Sequence, residues 1–274
     1  MFDYEILTKM AVDAAIAGGE EVMEVYNMID INVTYKEDKS PLTEADIRSN
    51  EIIKNYLGKS ELPILSEEER NISYDERKNW DVFWLVDPLD GTREFVKRNG
   101  EFTVNIALIK NNAPIIGVIY VPVSGNIYFS SSFSGSYRIS HVTSDFIKSK
   151  DLKSLINIAS SLPLSKNRNK IIGIGSRSHL SLKTKIFFHK LKRKYENLDI
   201  IKIGSSLKLC LIAEGNADIY PRFSPTMEWD IAAGHALIEN AGFKIHEYKS
   251  NNPILYNKEN LKNPYFVAGN TRII

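Results

Sequence analysis

Apolar residues recur at three- and four-residue spacing near the N-terminus, beginning with Leu7 and Met10, and predict an amphipathic helix with one buried face. A polar loop follows, and a second helix is predicted over Glu44–Leu57. Thr43 is a suitable N-cap for this helix, and Asp46 lies in its first turn, where the helix dipole favours acidic side chains. Two helices therefore precede the first β-rich part of the chain.

From Val82 onward the pattern changes to short β-rich runs separated by Asn-Asn, Pro and Ser-Gly turn signals. The predicted strands are Val82–Val86, Thr103–Lys110, Ile115–Val121 and Asn126–Ser130. Strands so closely spaced along the chain favour an antiparallel or mixed sheet. We expect the two N-terminal helices to flank it.

The composition shifts to Ser, Lys and Asn between about Val142 and Lys170, which predicts a junction between two halves. Beyond it, strands and helices alternate. The predicted strands are Ile171–Gly175, Ile200–Ile203, Ala217–Tyr220, Phe243–Glu247 and Phe266–Ala268, and the helices are Leu180–Tyr195, Ser206–Gly215 and Trp229–Ala241. This alternation is typical of layered α/β folds. We therefore predict an α+β domain over residues 1–145 and an α/β domain over residues 146–274.

Charge and cysteine usage exclude several classes of function. Lys and Arg number 35 and Asp and Glu 34, giving a net charge of +1, which argues against binding of polymeric nucleic acid but not of a small phosphorylated ligand. The single cysteine, Cys210, excludes a disulfide framework and a zinc site built on paired thiolates, and we expect it to be a buried, inert thiol. The longest apolar run, near Ala113–Val123, is too short to span a bilayer. Acidic residues near the N-terminus are unlike a signal peptide, so we expect a cytoplasmic protein.

The most informative segment is an apolar strand followed by Asp-Pro-Leu-Asp-Gly-Thr. Its proline and glycine suit a sharp exit from the strand, so Asp87 and Asp90 can converge around the carbonyl of Leu89. Side-chain and backbone oxygens together are the hard ligands that Mg²⁺ accepts. Gly91 and Thr92 would begin a short helix whose N–H groups can bind a phosphate. The alternative is an acidic turn in which Asp90 only caps that helix.

Further carboxylates lie at predicted element ends. Glu67 follows a strand-like stretch and Asp230 begins a helix; taken singly, each also fits a solvated face or an N-cap. Together with Asp46, Asp87 and Asp90 they form a large acidic set, and two like charges about 4 Å apart cost about 4 kcal/mol at an effective dielectric constant of 20. A bound divalent metal makes the net interaction of such carboxylates favourable, and carboxylate-rich two-metal sites serve phosphoryl hydrolysis. The sequence alone does not show that these residues converge.

Two motifs carry a family resemblance. Asp87-Pro-Leu-Asp-Gly-Thr92 with Trp229-Asp-Ile-Ala-Ala233 resembles the paired signatures of the lithium-sensitive, inositol-monophosphatase-like phosphatases. The run from Trp84 to Leu108 and the segment Gly204-Ser-Ser-Leu-Lys-Leu-Cys210 are similar to the bacterial CysQ branch, the 3'(2'),5'-bisphosphate nucleotidases. The resemblance implies alternating layers of helices and sheets (αβαβα), and it is weakest across residues 131–170 and at the C-terminus.

The implied activity is hydrolysis of the 3'-phosphate of adenosine 3',5'-bisphosphate (PAP) to AMP and phosphate, with two or three Mg²⁺ ions as cofactor. The sulfated nucleotide PAPS is a second implied substrate, giving APS, and the family implies a role in sulfur assimilation and sensitivity to lithium. The implied metal ligands are Glu67, Asp87, the Leu89 carbonyl, Asp90 and Asp230. Asp46, Glu67 and Thr92 are the implied catalytic residues, with Thr92 and Asp46 orienting the attacking water.

Substrate contacts are expected from both halves. The candidate residues are Asp90, Gly91, Thr92, Arg177, Ser178, His179, Ser205, Lys208, Arg222 and Asp230. Gly91 and Thr92 would hold the transferred phosphate through their backbone, and Arg177, Lys208 and Arg222 are candidates for the 5'-phosphate, although each alone also fits an ordinary surface charge.

Two alternatives stay open at this stage. The first is an inositol or sugar monophosphatase of the same superfamily, and the second is a catalytically silent protein that senses the nucleotide. The sequence predicts a small-molecule substrate and no transmembrane segment; peripheral association with the cytoplasmic side of the inner membrane and the oligomeric state are left undecided.

Overall fold

The computed structural model describes residues 2–29, 33–35, 41–69, 72–164, 170–177 and 181–273. Within these ranges the helices are α1 Tyr4–Tyr26, α2 Glu44–Leu57, α3 Tyr74–Arg77, α4 Thr92–Val96, α5 Ser144–Lys148, α6 Leu152–Ile158, α7 Leu182–Lys194, α8 Leu207–Ala213 and α9 Glu228–Asn240. The strands are β1 Val33–Tyr35, β2 Pro41–Thr43, β3 Ile64–Ser66, β4 Val82–Asp90, β5 Thr103–Lys110, β6 Ala113–Val121, β7 Asn126–Ser131, β8 Gly135–Ile139, β9 Ser160–Ser161, β10 Ile171–Ser176, β11 Leu198–Ile203, β12 Ile219–Arg222, β13 Lys244–Glu247 and β14 Phe266–Gly269.

The predicted elements are all present, and the differences lie mainly at their ends. The largest is in β4, which was expected to end at Val86 but continues to Asp90, because the segment after Val86 still pairs with β5 through an irregular stretch. The serine-rich stretch after β7 was not predicted as a strand, yet it forms β8. Two short helices and β9 occupy the segment predicted as a junction.

The fold has five alternating layers. A seven-stranded sheet of order β3-β4-β5-β6-β7-β8-β9 is antiparallel apart from its β3–β4 pair, and a five-stranded mixed sheet has the order β11-β10-β12-β14-β13. Helices α1 and α2 pack on one face of the larger sheet, α8 and α9 lie between the sheets, and α7 covers the outer face of the smaller sheet. The predicted αβαβα fold class is confirmed.

Alternation along β4 explains how one strand serves two cores. Trp84 and Val86 contribute to the core shared with α1 and α2, whereas Phe83 and Leu85 face the core shared with α8 and α9. Because successive side chains of a strand point to opposite faces, a strand buried on both faces is a continuous apolar run. The strand that leads into the acidic motif is therefore held rigidly from both sides.

Helix α9 approaches the larger sheet very closely. A Cβ atom at Gly117 of β6 would come within 2.2 Å of the carbonyl oxygen of Ala233 on α9, a distance that no side chain tolerates. Glycine at this position therefore lets the helix lie against the backbone of the sheet. The close packing sets the distance between the sheet and α9, the helix that carries Asp230.

The division into domains at residue 145 stays a prediction. Strand β9, at Ser160–Ser161, pairs with β8 in the larger sheet, and α9 packs against β4, β5 and β6 of that sheet. Among the described residues, no helix combines the length and apolar character needed to cross a membrane.

Candidate active site

Parallel pairing of strands β3 and β4 brings the first two carboxylates together. Ser66, the last residue of β3, is in register with Val86 of β4, so the residues that follow, Glu67 and Asp87, are neighbours. Glu67 begins a 3₁₀ turn whose third acid, Glu69, is bound by Lys54 at 2.5 Å. Within the run of three acids, Glu69 therefore forms an ion pair, whereas Glu67 lies at the site.

A bulge in β4 presents the acidic motif. Asp87 pairs with Asn105 and Asp90 with Thr103, so β4 contains one more residue than β5 between these two pairs. Bulges of this kind accommodate a proline and redirect side chains. The N–H of Leu89 donates to Asp87 Oδ1 at 3.2 Å inside the bulge. The predicted turn between the two aspartates is thus an irregular part of the strand.

The residue after the bulge requires a glycine. Gly91 has φ of 95°, in the left-handed region, and is the N-cap of helix α4. The next residue, Thr92, lies with its Oγ1 at 3.4 Å from Asp46 Oδ1 and 3.3 Å from the Leu89 carbonyl oxygen. The other oxygen of Asp46 accepts from the N–H and the hydroxyl of Thr43, each at 2.7 Å. Asp46 is thereby fixed at the start of α2, with one oxygen directed to Thr92.

Asp230 reaches the same region from the other half of the chain. It is the third residue of α9, and its Oδ2 accepts from the N–H of Met227 at 3.0 Å. Glu67, Asp87 and Asp230 each offer one carboxylate oxygen, and these three oxygens lie within 4.8 Å of one another. A group of hard, anionic oxygens at this separation is suited to a divalent cation.

Burial and mutual repulsion change the acidity of two of the acids. Burial raises the pKa of Asp90, and the charges of Glu67 and Glu94 raise it further, while Lys208 opposes the shift. Burial also raises the pKa of Asp230, with Asp90 and Glu67 as additional causes. Without a cation, Asp90 and Asp230 are therefore protonated more easily than exposed aspartates.

These shifts predict a pH-dependent effect of metal on stability. Since the folded state binds these protons more tightly than the unfolded state, the free energy of unfolding of the metal-free protein falls as pH rises above the ordinary aspartate pKa of 3.8. A cation at a hundred times its Kd stabilises by about 2.7 kcal/mol, or several degrees. We expect the rise in melting temperature on adding Mg²⁺ to EDTA-treated protein to be larger at about pH 8 than at about pH 5.5. Equal shifts at both pH values would contradict the coupling.

The carboxylates line one end of a cavity of about 440 Å³ that also contains basic residues of the second half. Lys208, on α8, donates through Nζ to the carbonyl of Ser205, and burial lowers its pKa to about 8, with Asp90 opposing the shift. Arg222, at the end of β12, donates to the Pro225 carbonyl at 3.2 Å, while its Nε has no hydrogen-bond partner among the described residues. The cavity therefore holds both cation-binding and anion-binding groups.

The remaining expected contacts are placed differently. Arg177 does not extend into the cavity but binds Glu101, with Nε and Nη2 at 2.6 and 2.5 Å from its carboxylate oxygens. Ser178 and His179 lie outside the described residues. The substrate roles of these three residues stay predictions. Cys210 is buried, and burial raises its pKa, as expected of an inert thiol.

The structure adds three residues that sequence reasoning missed. The N–H of Ser206 donates to Asp90 Oδ2 at 2.5 Å, and Glu94 and Lys262 line the cavity. Glu94 lies two residues beyond the Asp-Pro-Leu-Asp-Gly-Thr motif, and this proximity could have identified it as a site residue. Lys262 lies in the part of the C-terminus where the family resemblance was weakest, so it had none.

Comparison with known proteins gives the evolutionary context. A family model described as the inositol monophosphatase family matches residues 3–273. The chain belongs to the inositol monophosphatase family. It is 42% identical to the 3'(2'),5'-bisphosphate nucleotidase CysQ of Buchnera aphidicola over 242 residues, which cover 87% of this chain and 83% of the relative. It is 39% identical to the 3'(2'),5'-bisphosphate nucleotidase CysQ of Escherichia coli K12 over 252 residues, which cover 90% of this chain and 93% of the relative.

A solved structure agrees with this membership of the inositol monophosphatase family. The crystal structure of CysQ from Bacteroides thetaiotaomicron, described as a bacterial member of the family, matches with a TM-score of 0.89 and 42% identity, covering 98% of both chains. The superposition extends over almost the whole fold. The family resemblance stated from the two motifs is therefore confirmed along the chain.

Proposed function

We propose that the protein is a Mg²⁺-dependent phosphatase that removes the 3'-phosphate of adenosine 3',5'-bisphosphate to give AMP. The observation that carries the proposal is the composition of the cavity, in which Glu67, Asp87 and Asp230 lie together and Lys208 and Arg222 line the same space. A substrate with two phosphate groups needs a cation at the scissile phosphate and basic side chains at the distal one. Relatives named as 3'(2'),5'-bisphosphate nucleotidases support the same substrate.

Glu67, Asp87, the Leu89 carbonyl, Asp90 and Asp230 would hold the two or three Mg²⁺ ions of this proposal. All five line the cavity and are hard oxygen ligands, which suits this cation. When bound, Mg²⁺ would lower the pKa of water to a usable range and neutralise charge on the phosphoryl oxygens. Thr92 would accept a hydrogen bond from the attacking water while its own hydroxyl donates to Asp46, so that the water is aligned without ionisation of Thr92. The backbone N–H groups of Gly91 and Thr92 would hold the phosphoryl oxygens in line for attack.

A substrate panel tests this assignment. Phosphate release is measured with Mg²⁺ on adenosine 3',5'-bisphosphate, its sulfated form, inositol 1-phosphate and fructose 1,6-bisphosphate. We expect the highest kcat/KM on a bisphosphorylated nucleotide. A higher value on inositol 1-phosphate or fructose 1,6-bisphosphate would instead establish an inositol or sugar monophosphatase, and binding without turnover would establish a nucleotide sensor.

Basic residues of the second half should control nucleotide affinity. Charge-assisted hydrogen bonds contribute about 1.5–3 kcal/mol, so we expect Lys208→Met or Arg222→Met to raise KM for adenosine 3',5'-bisphosphate roughly ten- to a hundredfold. The KM for inositol 1-phosphate, which has no second phosphate, should change much less. Lys185→Met, at an exposed lysine of α7, is the matched control. A uniform change on both substrates would show that neither side chain recognises the 5'-phosphate.

A further inference from the structure

A network of buried hydrogen bonds lies outside the cavity and begins at the short helix α3. Arg77 is only 2% exposed, and its guanidinium donates from Nη1 to Asn257 Oδ1 and from Nη2 to the Glu259 carbonyl, both at 2.9 Å. Asn257 returns a hydrogen bond from Nδ2 to the carbonyl of Arg77 at 2.7 Å. The backbone φ of Asn257 is 61°, a left-handed conformation that asparagine tolerates better than most residues. The two side chains thus hold each other in both directions.

The hydrogen-bond network continues into helix α9 through a second buried charged residue. Glu228 is completely buried, and its carboxylate accepts from the N–H of Asn257 at 2.7 Å and from the N–H and Nζ of Lys258 at 3.1 and 2.5 Å. The N–H of Glu228 itself donates to the Leu261 carbonyl at 2.9 Å. A buried carboxylate with this many donors is fully satisfied and rigid.

The hydrogen-bonded residues belong to segments that are near the candidate carboxylates in the sequence. Glu228 precedes Asp230 by two residues at the start of α9. Along the sequence, Arg77 lies between the turn that begins at Glu67 and the strand that carries Asp87. We propose that Arg77, Asn257 and Glu228 are positioning residues that hold Asp230 against Glu67 and Asp87 and keep the cation-binding group assembled. The inference rests on the proposed use of that group for a divalent metal.

Electrostatics explains why such a link is needed. Glu67, Asp87 and Asp230 must be ionised to bind a cation, and ionised carboxylates with oxygens within 4.8 Å of one another repel until the cation enters. That repulsion acts to move the N-terminal end of α9 away from β3 and β4. The apolar packing of α9 includes Trp229 and Ile231 on either side of Asp230 and is non-directional, whereas the hydrogen-bonded link is directional and lies within two residues of Asp230.

A contact that only stabilises the fold would have a different signature. Glu214 provides the comparison, because it is also buried, at 2% exposure, and accepts from Tyr128 and Arg138 at 2.8 and 2.9 Å. It lies at the end of α8 and does not line the cavity among the described residues. Glu214→Gln therefore disturbs a comparable buried carboxylate without disturbing the proposed link.

The experiment measures metal binding without substrate. Mn²⁺ is titrated into the EDTA-treated full-length protein and its Glu228→Gln, Arg77→Met and Glu214→Gln variants, with free Mn²⁺ followed by electron paramagnetic resonance. Because changes to the residues that orient metal ligands typically weaken affinity 10–100-fold, we expect Glu228→Gln and Arg77→Met to raise the Mn²⁺ Kd at least about tenfold. Glu214→Gln should lower the melting temperature and leave the Kd unchanged. The phosphatase rate of the first two variants should recover at saturating Mg²⁺.

Several results would overturn the proposal. It is wrong if Glu228→Gln binds Mn²⁺ as tightly as the unaltered protein, if Glu214→Gln weakens binding equally, or if the unaltered protein binds no divalent cation. If Glu228→Gln fails to fold, Lys258→Met is the second variant, because it removes one donor to Glu228 from a partly exposed position. Lys258→Met should also raise the Mn²⁺ Kd, and an unchanged Kd in this variant would overturn the proposal. Failure to hydrolyse adenosine 3',5'-bisphosphate would count against the proposed function alone, since Mn²⁺ binding needs no substrate.

Discussion

Asp90→Asn is expected to lower kcat/KM for adenosine 3',5'-bisphosphate by at least about a thousandfold, equivalent to about 4 kcal/mol of transition-state stabilisation. The carboxylate is proposed to be a metal ligand, and an amide is a neutral and much weaker one. The fold should be unaffected, because the amide oxygen can still accept the N–H of Ser206 that now bonds to Asp90 Oδ2. The measurement is phosphate release over a range of Mg²⁺ concentrations.

Stability measurements separate a lost ligand from a damaged fold. Burial and the neighbouring acids raise the pKa of Asp90, which means that its charge is unfavourable in the metal-free protein. Asp90→Asn should therefore melt at the same or a higher temperature than the unaltered protein in EDTA, and should gain less from added Mg²⁺. Asp199→Asn, at an exposed carboxylate paired with Lys170, is the control and should retain full activity. Activity close to that of the control would refute a metal role for Asp90.

Local sequence signals were sufficient for the parts of the site that one segment encodes. The apolar run, the proline and the Gly-Thr pair predicted a sharp exit from the strand after Asp87 and a short helix from Thr92. The structure has a bulge between Asp87 and Asp90 in place of the exit, and the helix begins as predicted. Thr43 and Asp46 likewise lie together because a capping box depends only on residues three apart. These predictions needed no knowledge of tertiary structure.

Contacts between distant segments could not be predicted in this way. The neighbouring positions of Glu67 and Asp87 depend on the parallel register of β3 and β4, which no local pattern encodes. The direction of a long surface side chain is equally undetermined, and Arg177, expected at the substrate, forms an ion pair with Glu101. The bulge in β4 also depends on pairing with β5, so the sequence alone predicted a strand that ended too early.

Thr92→Val is expected to lower kcat about a hundredfold to a thousandfold, because positioned groups that move protons contribute on that scale. Valine has nearly the shape of threonine but lacks the hydroxyl that lies between Asp46 Oδ1 and the Leu89 carbonyl oxygen. Both distances exceed 3.2 Å, and hydrogen bonds of this kind commonly shorten only when substrate is bound. The reduction should therefore appear in kcat rather than in the Kd for Mn²⁺, since Thr92 is not a proposed ligand.

Thr92→Ser distinguishes the loss of the hydroxyl from a change in packing. Serine keeps the oxygen at the same position and removes one methyl group, so it should restore most of the rate lost in Thr92→Val. Asp46→Asn should resemble Thr92→Val, because Asp46 Oδ1 is one of the two acceptors within reach of the hydroxyl and the Leu89 carbonyl is proposed to bind metal. If Thr92→Val retains the rate of Thr92→Ser, the hydroxyl does not orient the attacking water. The reaction would then depend on the carboxylates alone to direct water to the phosphorus, and Asp46 would serve only as the cap of α2.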